Sequence, residues 1–274
     1  MTEPSAAARN RGTRWARSAS VTFTAGATVG LLGGLIGLCG AEFRLPLLIG
    51  IFGFAALSAV VLNKAMSLIV VAVALPARLA AVPLSELAPY WTVWLNLLAG
   101  SLIGAWLGAS WATRMRSTTL YKVLALLLVL IAAALAANHA GTLSPLDLNP
   151  AVQAIAGVLA GLGIGIVAAL MGVAGGELLI PTIVLLYGID IKIAGSLALA
   201  VSLPTMLVAF ARYSQDASFQ VLGANKRFVI LMAAGSVAGT LIGGMLAGLV
   251  STALLVPILV LVLLASAVKV WRHA

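Results

Sequence analysis

Glu42 and Arg44 stand two residues apart in the apolar stretch GLCGAEFRLP (37–46), and Glu177 stands in GVAGGELLIP (172–181). Both stretches set glycine at their first and fourth positions, glutamate at the sixth and proline at the tenth. A carboxylate at bilayer depth costs roughly 2.5–3.5 kcal/mol on insertion scales, so residues that bear this cost mark ion or substrate pathways. Glycine permits non-helical backbone, whereas proline suits a first helical turn and breaks an interior one. The spacing predicts a broken helix in each stretch, one segment ending at Gly40, or at Gly175 and Gly176, and a new one starting near the glutamate. The fresh N-terminus offers unpaired amides and a partial positive charge to an anion. Paired breaks in corresponding places are the sequence mark of a transport site. Glu42 and Glu177 become candidate proton carriers, since burial favours a neutral carboxyl. A structural alternative is that they cap their own helix starts or neutralise a nearby Arg or Lys.

Further polar candidates are Asn63, Lys64 and Ser67, with Ser202 matching Ser67. Lys64 reads equally as a substrate contact or as a marker of the cytoplasmic side. Arg44 has apolar Leu179 as its counterpart, which suggests a site contributed mainly by one half. A dinucleotide fingerprint is excluded, because GLGIGI (161–166) lacks the third glycine and lies in an apolar run rather than after a strand.

The elements that must position these residues are membrane helices. Of 274 residues 62% are hydrophobic and 8% charged, with a mean hydropathy of +1.16; ordinary globular domains are about 45–50% apolar. Runs such as 120–137 and 151–173 reach the roughly 20 residues a spanning helix needs. The short alternating segments of a membrane barrel do not occur. Cys39 is the only cysteine, and the two histidines, His139 and His273, fall in a polar loop and at the C-terminus, so neither a disulfide nor a metal cluster is expected. No cofactor is called for. The net charge of +9 comes from basic residues before and between apolar runs, which is a topology signal and not a nucleic-acid footprint.

Sliding the sequence along itself so that Glu42 meets Glu177 also aligns Gly26 with Gly161, Gly30 with Gly165, Pro46 with Pro181, and AGSLIGAWLG (99–108) with AGSVAGTLIG (234–243). The chain is therefore two homologous halves. The reading is a basic cytoplasmic segment 1–18, a first transmembrane repeat 19–137, an extracytoplasmic linker 138–150 and a second repeat 151–274. Apolar segments fall near 20–40, 44–62, 65–82, 91–112 and 119–137, then near 151–173, 178–189, 193–211, 228–248 and 252–270. With the N-terminus cytoplasmic, most basic residues share that side. An odd number of crossings per half inverts the second half, as in secondary transporters. Segment 178–189 would rise only about 18 Å as a helix, too short to cross, so it reads as a half-helix or a re-entrant element, and the parity of crossings turns on it. The fold class is an all-α polytopic membrane protein with two inverted repeats, 8–10 transmembrane helices, some broken or re-entrant. The series Gly100, Gly104, Gly108 and Gly235, Gly239, Gly243 reads as close helix packing.

GVAGGELLIP followed by ALAVSLP (198–204), repeated in degenerate form in the first half, resembles the TauE/SafE family of membrane permeases, also described as sulfite exporters. Gly175, Gly176, Ile180 and Pro181 carry the resemblance, while GAEFRLP and NKAMSL depart from the family pattern. The resemblance implies secondary transport of a sulfur-containing or organic oxyanion, such as sulfite, a sulfonate or sulfoacetate, across a bacterial inner membrane. Cations near helix starts agree in sign with an anionic substrate, and the absence of a nucleotide motif makes protons or membrane potential the coupling source. The expected partners are a small anion, coupling protons, the lipid bilayer and a homodimeric copy, with no nucleic acid. The alternatives are a non-transporting accessory membrane protein and a passive anion channel. An intramembrane enzyme is disfavoured, since no His/Glu cluster or Ser/His pairing lies at depth.

Overall fold

The computed structural model describes residues 18–35, 40–81, 83–139, 146, 148–246 and 252–273. The expected basic segment 1–18 and the linker 138–150 thus lie largely outside the described residues. The first half contributes α1 (Ala19–Leu35), α2 (Ala41–Gly50), α3 (Ala56–Ala81), the short α4 (Leu84–Leu87), α5 (Trp91–Arg114) and α6 (Ser117–His139). The second contributes α7 (Pro150–Met171), α8 (Gly176–Tyr187), α9 (Ile191–Tyr213), the short α10 (Gln220–Ala224), α11 (Lys226–Leu246) and α12 (Thr252–Trp271). Among the described residues, six helices are long and apolar enough to cross a membrane, and Ala19–Leu35, Gly176–Tyr187 and Leu259–Trp271 are shorter apolar segments.

Two of the expected segments divide differently. In place of 44–62 and 65–82, the first half has a 10-residue α2 and a 26-residue α3. Hydropathy runs unbroken across this boundary, but the backbone turns at Gly53, whose φ is 70°. The equivalent turn after α8 uses Gly188, φ 63°. Both halves therefore carry the same short second helix, so the odd count of elements per half is preserved.

Each short helix folds back along the helix before it. Gly175 packs against Ile164 and Ala168 of α7, and at the other end of α8 the Leu186 carbonyl accepts from Nε2 of Gln153, in the first turn of α7. In the first half, a Cβ at Gly40 would lie 2.3 Å from the Val29 carbonyl oxygen of α1. Thus α2 and α8 are returning half-helices that begin at depth.

The halves interlock through glycines. Gly26, Gly30 and Gly34 of α1 lie against the backbone of Met232, Ser236 and Thr240 of α11, and the glycines of α11 answer against Phe23, Ala27 and Leu31. Gly100, Gly104 and Gly108 of α5 press in the same way on Val158, Leu162 and Ile166 of α7. A Cβ at these six α1 and α5 positions would sit 2.0–2.7 Å from a carbonyl oxygen of the partner. The close-packing reading of these series holds, and each pair runs parallel. The turn at Met115 and Arg116 makes α6 antiparallel to α5, and α6 is antiparallel to α12, with Lys122 beside Trp271 and Ala125 beside Ala267. The two halves run in opposite directions through the bundle.

Candidate functional site

The two breaks meet at one place because α3 crosses both. Asn63 donates through Nδ2 to the Ala41 carbonyl, 3.0 Å, at the start of α2, and to the Met171 carbonyl, 3.1 Å, at the end of α7. One amide thus ties the first-half break to the second. One residue on, Lys64 donates through Nζ to the carbonyls of Ala168 at 2.9 Å and Val173 at 2.7 Å. Ser67 donates to the Gly172 carbonyl at 3.2 Å. From the second half, the Tyr213 hydroxyl donates to Ala169, 3.0 Å. The last turn of a helix leaves carbonyls without intrahelical partners, which inside a bilayer must be satisfied by protein or enclosed water. These four side chains do so for the end of α7.

The backbone needs glycine here. Gly172 caps α7 at φ 70°, and Gly175 and Gly40 start α8 and α2 at φ 86° and 66°. A Cβ at Gly172 would come within 2.4 Å of the Val60 carbonyl oxygen on α3. Gly176, which follows as the first residue of α8, is half-buried. No side chain caps α2 or α8, so Glu42 and Glu177, each in a first turn, leave the capping to backbone.

The carboxyl groups of Glu42 and Glu177 lie within electrostatic reach of each other, with Arg44 in reach of Glu42 and Lys64 in reach of Glu177. Glu42, Arg44, Asn63, Lys64 and Ser67 have no exposed surface, and Glu177 retains 9%. Both Glu42 oxygens and Oε2 of Glu177 are sealed in with no hydrogen-bond partner among the described residues. The repeat therefore brings its two glutamates together at the junction of the halves, beside two cations contributed by the first half. Ser202 is also buried, at 1%, but its hydroxyl has no partner among the described residues. The residue that mirrors the partner of Ser67 is Gly37, outside the described residues. Lys64 is no marker of the membrane surface, because its ammonium ends on interior carbonyls.

A cavity of about 780 Å³ opens between α3, α10 and α11, lined among others by Gln215, Gln220, Lys226 and Val229, and it reaches Ala65, the neighbour of Lys64. It lies at the end of the bundle that carries Arg114, Arg116, Lys122, Arg212, Lys226, Arg227 and Arg272. Sequence reasoning missed Tyr213 and this cavity. The only signal for Tyr213 was a lone phenol closing an apolar helix.

Neither any curated protein nor any solved structure matches the chain significantly. A family model described as Sulfite exporter TauE/SafE matches residues 3–135 and again residues 137–270. The double match restates the internal repeat, with one broken-helix element in each matched region. Nearly the whole chain is thus accounted for, and this multi-pass membrane protein belongs to the sulfite exporter TauE/SafE family of membrane transporters.

Proposed function

We propose that the protein is a secondary transporter of a small oxyanion of the sulfite, sulfonate or sulfoacetate type, working by alternating access between its two inverted halves and coupled to protons. The observation that carries this reading is the meeting of Glu42 and Glu177 where the two half-helices begin, beside Arg44 and Lys64. Charge counting gives the mechanism. With both carboxylates ionised, two negative charges offset two positive ones, and the cluster has no net attraction for an anion. One proton on the paired carboxyls leaves a net positive charge, and like charges in reach of each other share a proton readily. Anion and proton would then enter together, drawn to Arg44 and the partial positive charge of the helix starts, with Gly40, Gly175 and Gly176 letting the substrate approach the backbone. Asn63, Lys64 and Ser67 hold the breaks in place around it, and the buried Ser202 hydroxyl is left to contact the substrate.

The basic end of the bundle faces the cytoplasm in this reading, following the positive-inside rule, in a bacterial inner membrane. The 780 Å³ cavity then becomes the inner approach, ending one residue from Lys64. The protein is not an enzyme and needs no cofactor on this view.

The test is counterflow of labelled sulfite in proteoliposomes, competed with sulfonates and carboxylates, for the wild type and Arg44→Ala. Saturable counterflow that is lost in the variant supports a carrier with Arg44 in its site, and competition ranks the substrates. Flux that never saturates and cannot be driven uphill would instead make the protein a passive channel. No flux of any panel member through folded protein would favour an accessory role.

A further inference from the structure

A second site lies on the outside of the bundle, on the groove between α6 and α12. Ala125 and Ala267 form its floor at 2% and 4% exposure, and Leu126 and Leu264 stand exposed as its walls at 66% and 38%. Small residues under large ones leave a cavity of about 370 Å³, closed at one end by Trp271 and Arg272. At the same end Lys122 places its ammonium 5.9 Å from the centre of the Trp271 ring. The apolar length lies at the depth of the membrane helices, and the cations stand at their basic ends. Neither α6 nor α12 carries an acidic residue that could neutralise them.

We propose that this groove binds an anionic phospholipid, with an acyl chain over Ala125 and Ala267 and the headgroup phosphate between Arg272 and Lys122. Basic pockets between membrane helices at the cytoplasmic side suit anionic headgroups, and an indole suits the interface between chain and headgroup. The internal repeat sharpens the assignment. α6 and α12 are counterparts, so duplication alone would furnish both ends of their groove alike. Yet the positions matching Lys122, Trp271 and Arg272 are Pro257, Ala136 and Ala137. The cations and the indole stand together at one end only. The site is separate from the Glu42–Glu177 cluster and does not rest on the transport reading.

The experiment is lipid titration of the delipidated full-length protein, followed by native mass spectrometry and by thermal unfolding. Dioleoylphosphatidylglycerol is compared with dioleoylphosphatidylcholine and with glycerol phosphate. Phosphatidylglycerol is expected to stay bound and raise Tm, phosphatidylcholine to bind more weakly, and the chainless headgroup to have no effect. Lys122→Gln with Arg272→Gln should weaken phosphatidylglycerol binding about thirtyfold, at about 1 kcal/mol per cation, while leaving the lipid-free Tm unchanged. Val129→Trp, which narrows the apolar length, should weaken both lipids. Equal binding of the two phospholipids, or an unaltered double variant, would overturn the proposal. So would a response to glycerol phosphate matching that to the lipid, or a lipid-independent dimer seated on this face.

Discussion

Lys64 is spent on the backbone. Its ammonium reaches two carbonyls of the other half, and the Ala168 oxygen also accepts from the amides of Gly172 and Val173. Lys64→Met therefore strips the donor chiefly from Val173, and should lower stability by about 1–3 kcal/mol, the cost of a buried group left unpaired. Thermal unfolding in detergent checks this, and Lys64→Gln, which keeps a donor, should lose less. The carboxyl pair is expected to respond differently. Glu42→Gln combined with Glu177→Gln should retain exchange of labelled anion across proteoliposomes yet lose accumulation driven by a pH gradient. Accumulation equal to wild type would remove the proton-carrying role. The glutamates and their glycines were legible in the sequence because duplication repeats them and because charge at depth is costly. The tasks of Asn63, Lys64 and Ser67 were not, since their acceptors are carbonyls more than 100 positions away at the end of α7 and only Asn63 also touches a nearer one, at Ala41.

Helices and their breaks follow from the same residues at the next scale. Glycines in this chain fall into two physical kinds. Gly239 presses on α1, where a Cβ would lie 2.0 Å from the Ala27 carbonyl oxygen, whereas a Cβ at Gly163 on α7 or Gly244 on α11 meets nothing within 4 Å. Gly239→Ala should force the helices apart and cost about 1–3 kcal/mol, as overpacking does. Gly163→Ala and Gly244→Ala should be neutral or slightly stabilising, because alanine is the better helix former. Unfolding temperatures of the three variants, measured side by side, separate these outcomes. The close-packing series could be read from its spacing of four residues, and the short length of α8 from composition. The true end of α2 could not, because apolar residues continue through the turn at Gly53 and only backbone conformation marks it.

The whole molecule is two halves that exchange partners. With the short α2, α4, α8 and α10 set aside, the first helix of each half lies along the third of the other, α1 on α11 and α7 on α5, and α6 packs on α12. Duplication announced the halves and the odd element count announced their opposition, but a repeat carries no information on which copy a glycine face will choose. Residues 1–137 and 138–274 produced as separate polypeptides in one cell should assemble and co-purify, whereas either alone should not yield folded protein. A half that purifies alone with a sharp unfolding transition would contradict the interlock. The exchange also fixes a timetable for synthesis. Helix α1 leaves the ribosome long before Lys226–Leu246, whose backbone its Gly26, Gly30 and Gly34 face packs against. Until α11 is made the nascent chain must therefore keep an unfinished helix in lipid, and a chain stopped before residue 226 presents that orphan face to the proteases that clear incomplete membrane proteins.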